Sequence, residues 1–197
     1  LLTPSPEMSL PPDLLESRDG IGVYFNPEEG MEIIQDFDDL LAANRRYADA
    51  FDLAGFDGVA RAGVAIVTCM DSRIDPLRMV GLEPGDAKIL RNPGGRVTEQ
   101  VLVALVLGAN LLKVDRVLVV EHTRCAMASA SETELQARIG DATGTDATWM
   151  FLGAINDQRA ELAESVHKID SHPLIPPHVR AGGFLYDVDT GMLDQVV

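Results

Sequence analysis

The sequence predicts an α/β fold: a mostly parallel central β-sheet flanked by helices, preceded by an N-terminal arm and helix. Two observations predict it. Short apolar, partly β-branched runs at residues 64–68, 88–90 and 116–120 are bounded by turn residues, the pattern of strands buried on both faces. Helical patterns fall between them on short links, and such alternation calls for parallel strands joined by crossovers.

Residues 1–30 hold Pro4, Pro6, Pro11, Pro12 and Pro27 with Gly20, Gly22 and Gly30, a density of breakers that predicts an extended arm. Residues 31–197 then read as one α/β domain. It opens on an amphipathic helix within 31–51, where Ile33, Ile34, Phe37, Leu40, Leu41, Tyr47 and Phe51 recur at helical spacing. The first sheet strand, 64–68, runs into Cys69. Residues 75–80 read as a short helix with Pro76 in its first turn. The second strand, 88–90, opens into Arg91-Asn92-Pro93-Gly94-Gly95. A helix over 97–112 is apolar almost all round and is expected to be buried on most sides; Trp149 likewise reads as core or interface. The third strand, 116–120, leads straight to His122. Helices follow around 132–139 and 154–169, and 183–197 reads as a closing hairpin turned at Asp189-Thr190-Gly191.

Composition narrows the partners. A net charge of −15, from 16 basic and 31 acidic residues, opposes binding to nucleic acid or an anionic membrane. No uninterrupted apolar stretch reaches the roughly eighteen residues of a membrane span. The first residues, Leu1-Leu2-Thr3-Pro4-Ser5-Pro6, carry neither the basic nor the apolar part of a secretory signal, so a reducing, cytoplasmic setting is expected. Without an initiator Met, a removed leader stays open.

The chemistry concentrates in two motifs, Cys69-Met70-Asp71-Ser72-Arg73 and His122-Thr123-Arg124-Cys125. Cys69 and His122 stand at the carboxyl ends of two expected strands, where ligands of open α/β sheets gather. Cys125 lies three residues past His122 and can return to the same point. Zinc takes thiolate and imidazole in a tetrahedron, and a Cys2His set leaves the fourth corner for water. The competing readings are a disulfide, ordinary buried cysteines, and a structural zinc that would need a fourth ligand. Asp71 and Arg73, one residue apart, can pair as carboxylate and guanidinium. Paired, Asp71 stays ionised beside the metal; unpaired, it is a candidate fourth ligand. A structural salt bridge is the plainer alternative. His167, His172 and His178 read as surface histidines, and the 91–95 loop lacks the Lys-Ser/Thr of a phosphate loop.

Cys-x-Asp-x-Arg followed by His-x-x-Cys, with Arg-Asn-x-Gly-Gly between them, resembles the β-class carbonic anhydrases over residues 35–195, including the turn Leu82-Glu83-Pro84-Gly85-Asp86-Ala87. The resemblance implies one Zn2+ per chain held by Cys69, His122 and Cys125, with Asp71 and Arg73 as the catalytic dyad. It implies reversible hydration of carbon dioxide to bicarbonate through zinc-bound hydroxide, in a homodimer or homotetramer. Hydrolysis of carbonyl sulfide or carbon disulfide on the same site is the alternative reading, and a non-catalytic zinc-binding homologue is another. Three positions depart from the family pattern. Arg124 replaces an acidic residue. Ala126 replaces a glycine, which is expected to disfavour a positive φ there. Pro93 removes an amide donor from the loop.

Overall fold

The computed structural model describes residues 37–197 and, ahead of them, the backbone of three short strands, β1 (Leu15–Glu16), β2 (Gly22–Asn26) and β3 (Gly30–Glu32). The chain divides into two units, residues 1–54 and 55–197. In the first, β1, β2 and β3 form an antiparallel sheet in that order. The prolines of the expected arm, and Ile33 and Ile34, lie outside the described residues. Helix α1 (Asp38–Asp49) starts later than expected, since Met31 and Glu32 belong to β3. Asp38 and Asp39 occupy its first turn, where carboxylates complement the helix dipole. Its apolar side chains Leu40, Leu41 and Tyr47 are exposed.

The second unit is built on a five-stranded sheet in the order β5-β4-β6-β7-β8. Strands β4 (Val64–Cys69), β5 (Ala87–Asn92), β6 (Arg116–His122) and β7 (Arg180–Tyr186) are parallel, and β8 (Leu193–Gln195) closes the edge antiparallel to β7. The closing hairpin expected at the C-terminus is present. β4 lies between β5 and β6, and every one of its residues is buried. Ala65, Val67, Val117 and Val119 meet Val101, Leu105, Leu162 and Ile169 on one face. Ile66 and Val120 pack with Met79, Leu82, Ile89 and Phe184 on the other. Period-two alternation divides the strands between two cores, as a sheet covered on both sides requires.

Helices α2 (Glu99–Leu111), α3 (Glu132–Thr143) and α4 (Gln158–Asp170) have side-chain N-caps. Thr98 accepts from Val101, Asp157 accepts from Arg159 and Ala160, and Ser131 forms a reciprocal capping box with Glu134. Two expectations change. Residues 75–80 hold only a 3-10 turn, Arg78–Val80, stopped by Gly81 in the left-handed region. α2 buries Val101, Leu102, Leu105 and Gly108 but leaves Val103, Leu107 and Leu111 exposed; Trp149, 79% exposed in the single chain, is not core, which leaves its interface reading. An all-apolar helix has no polar face to declare which side is covered, so its pattern overstates the burial.

Candidate metal centre

β4 and β6 run side by side with Thr68 opposite Val120. Cys69 ends β4 and His122 ends β6, so both side chains reach the same carboxyl edge. After His122 the chain reverses through Arg124, whose φ of 54° lies in the left-handed region. That reversal brings back Cys125, which leads into a 3-10 turn over Ala126–Ala128. The two sulfurs stand 3.9 Å apart as free thiols. Donor atoms of Cys69, His122 and Cys125 all lie within 4.8 Å of one another, and all three residues are buried. Among the described residues they form the one such group.

His122 Nδ1 lies 2.9 Å from the Thr123 carbonyl, which can only accept, so Nδ1 carries the proton. The lone pair is therefore on Nε2, a buried atom without a hydrogen-bond partner. Two converging sulfurs and one bare imidazole nitrogen are the donor set that borderline-soft divalent cations select. The residues present thus fit a metal.

The protonation pattern agrees. A hydrogen bond from Cys125 draws Cys69 toward thiolate against the opposing effect of burial, helped by His122 and the Gly94 amide. The same bond, with burial, keeps the proton on Cys125. Burial opposes charge on His122, but the neighbouring Cys69 sulfur, the Thr123 carbonyl and Asp71 together raise the ring's pKa. Protons held among three such groups are the ones a cation displaces.

Asp71 stands at the rim. Arg73 donates to it twice, Nε to Oδ1 at 2.9 Å and Nη2 to Oδ2 at 2.7 Å, while the Arg73 amide adds a third bond to Oδ1 at 2.9 Å. This pairing holds the Asp71 carboxyl far below the usual carboxylate range. Oδ2 nevertheless lies only 3.8 Å from His122 Nε2. Asp71 thus stands beside the three converging donors, with both of its carboxylate oxygens bonded to Arg73.

The loop after β5 supports the sulfur. The Gly94 amide points to Cys69 Sγ at 3.3 Å, so the loop still aims a donor at the sulfur one residue after Pro93. Gly95, at φ 73°, sits where a Cβ would stand 2.6 Å from the Val120 carbonyl oxygen and 2.9 Å from the Cys69 nitrogen. At the other departures, Arg124 pairs with Asp189 at 2.5 Å, and its carbonyl lies 3.4 Å from Arg73 Nη2. Ala126 enters the 3-10 turn without a positive φ; Arg124 takes the left-handed conformation instead. The strain expected of alanine does not arise.

His167 and His178 are exposed, and His172 accepts from the Leu174 amide through Nδ1. None of them joins the centre.

Two neighbours carry no signal in either motif. Gln158, at the start of α4, donates Nε2 to the His122 carbonyl at 2.9 Å and steadies the end of β6. Glu121 is 1% exposed and neither carboxyl oxygen has a hydrogen-bond partner. Burial pushes its carboxyl up to about 8. The one available signal is a charged residue inside an apolar strand. Because the folded state holds this proton more tightly than the unfolded chain, Glu121 costs stability as pH rises from about 5 to 8. The slope is of order 1 kcal/mol per pH unit. Glu121→Gln is expected to flatten that dependence, read as the urea midpoint at pH 5.5 against pH 8; equal slopes in both proteins would refute it.

Comparison with known proteins places this arrangement. The family model described as carbonic anhydrase matches residues 64–165. β-Carbonic anhydrase 1 of Mycobacterium tuberculosis is 34% identical over 166 residues, covering 81% of this chain and 96% of the relative. A carbon disulfide hydrolase of Acidianus is 30% identical over 152 residues, covering 65% and 74%. The crystal structure of carbonic anhydrase from Streptococcus mutans is similar at a TM-score of 0.76 and 34% identity, covering 84% of this chain and all of that one. Agreement of this extent, in sequence and in fold, makes the chain a member of the β-class carbonic anhydrase family and an enzyme of the carbonic anhydrase type.

Proposed function

We propose that this enzyme reversibly hydrates carbon dioxide to bicarbonate on a zinc ion held by Cys69, His122 and Cys125, with Asp71 and Arg73 as its catalytic pair. The observation that carries the reading is the position of Asp71: locked by three bonds from Arg73, yet 3.8 Å from the ligating nitrogen. Zinc bound there would supply a Lewis acid able to bring the pKa of water down to roughly 7.

The chain's own residues do the rest. Asp71 Oδ2, ionised at neutral pH, accepts a hydrogen bond from the reacting water and orients its lone pair. Arg73 keeps that carboxylate charged and aimed. The bond from His122 Nδ1 to the Thr123 carbonyl fixes the ring and leaves Nε2 free to hold a metal beside the two sulfurs. Ile74, Met79, Met127 and Tyr186 pack about the two cysteines, and their apolar surface suits a linear, uncharged substrate while limiting water.

Hydrolysis of carbon disulfide or carbonyl sulfide is the second reading, favoured by the similarity to the Acidianus hydrolase. We further propose a homodimer or homotetramer, supported by the exposed apolar residues Val103, Leu107 and Leu111 of α2. A reducing, cytoplasmic setting is supported by the two free thiols. No helix among the described residues is long and apolar enough to cross a membrane.

The test is stopped-flow hydration of carbon dioxide by zinc-loaded protein, run beside hydrolysis of both sulfur gases. Turnover of carbon dioxide is expected, whereas turnover of a sulfur gas alone would favour the second reading. No turnover of any gas would contradict both. Asp71→Asn should keep its metal and lose about a hundredfold or more in kcat/KM, the usual weight of a positioned proton acceptor.

A further inference from the structure

Arg91 is a guanidinium used in an unusual way. It lies on β5 one residue before Asn92, which pairs with Cys69 across the sheet. Its side chain donates to backbone carbonyls of the neighbouring turn. Nε donates to Cys69 at 3.0 Å, Nη1 to Ile74 at 3.2 Å and Nη2 to Asp71 at 2.5 Å. Among the described residues no carboxylate forms a salt bridge with it.

The turn needs such an anchor. Its carboxylate lies 3.8 Å from His122 Nε2, so a small backbone displacement would bring Asp71 among the metal's ligands. Arg73 holds the carboxylate, but Arg73 belongs to the same turn and travels with it. Its one bond outside the turn, to the Arg124 carbonyl, is long at 3.4 Å. Arg91 belongs to the sheet. Its planar fork spans the beginning, middle and end of residues 69–74, a reach that a single ammonium lacks.

We propose that Arg91 is a positioning residue that keeps Asp71 out of the metal's coordination sphere by clamping the backbone of the turn that carries it. This rests on the reading of Cys69, His122 and Cys125 as metal ligands, and it gives the first residue of the Arg91–Gly95 loop a positioning role. Arg73 sets the charge and aim of the carboxylate; Arg91 sets its distance.

The test uses cobalt(II) in place of zinc and reads the visible spectrum during titration with azide, a small anion that needs an open coordination position. The unaltered protein is expected to bind one cobalt per chain and to change its spectrum as azide enters. Arg91→Ala should still bind one cobalt, because its ligands sit at strand ends. Its azide affinity should fall about ten- to a hundredfold, the usual cost of losing an outer-shell partner. Adding Asp71→Ala to that variant should restore the azide response, which a merely structural staple would not do. Arg91→Lys keeps the charge and should weaken azide in the same direction, so the question is answered even if the alanine variant fails to fold. Unchanged azide affinity in both Arg91 variants would overturn the inference, and so would a loss that persists without Asp71. Loss of cobalt from the Arg91 variants would overturn it too, since the role would then be to hold Cys69. Failure of the unaltered protein to bind cobalt would instead remove the metal-site reading itself.

Discussion

Cys69→Ser is expected to weaken metal binding more than about a hundredfold, enough to lose the ion to a competing chelator, while leaving the fold intact. Serine keeps the shape but offers a neutral hydroxyl where a borderline-soft cation prefers thiolate. The sulfur at this position is the one already drawn toward thiolate, by Cys125 first, against the opposing effect of burial, and by His122 and the Gly94 amide as well. Structural zinc in zinc-finger peptides binds with about 10–16 kcal/mol through four protein ligands, so losing one of three here should remove roughly 3 kcal/mol or more. That is a factor above about a hundred in affinity. Zinc content after dialysis against a weak chelator measures it. The fold should survive, because Cys69 is the last residue of β4 and the core of that strand lies at Ile66 and Val67. Retention of one zinc per chain by Cys69→Ser would contradict the ligand assignment.

Gly95→Ala should be among the most destabilising single changes available to this chain. Its φ of 73° already disfavours a side chain, and the added Cβ would press on the Val120 carbonyl oxygen, the Cys69 nitrogen and, at 3.0 Å, the Thr68 carbonyl carbon. These are backbone atoms of the two central strands and cannot rotate aside. We expect a loss of about 2–4 kcal/mol in urea unfolding, combining the conformational cost with overpacking. Gly144→Ala is the control: φ is 66° and a Cβ there would meet nothing within 4 Å, so only about 1 kcal/mol should go. Equal losses at the two sites would show that close approach at Gly95 is not the controlling factor.

Much of the site is legible in the sequence because two kinds of signal coincide. Apolar runs declare β4 and β6; Cys69 directly follows the first, and His122 stands just past the second, beyond Glu121. Cys125 follows from its spacing to His122, and Asp71 with Arg73 from their place in the same motif. What stays hidden depends on contacts across the fold. A charge inside Val-Val-Glu-His marks Glu121 but does not tell that its buried oxygens lack a hydrogen-bond partner, and Gln158 reaches His122 from a helix distant in sequence. The three carbonyl bonds of Arg91 have no pattern in the chain, because carbonyls belong to every residue. The expectation at Ala126 fails for a related reason. A positive φ would be disfavoured there, but the chain turns at Arg124, held by Asp189 from the closing hairpin.

The most direct test of the account is X-ray absorption at the zinc edge of the loaded, unmodified protein at neutral pH. Two sulfurs at about 2.3 Å with one imidazole nitrogen and one further light atom at about 2.0–2.1 Å are predicted, the fourth atom being exchangeable for an added anion. A shell without sulfur, or one in which a carboxylate of the chain holds the fourth position against added anion, would contradict it.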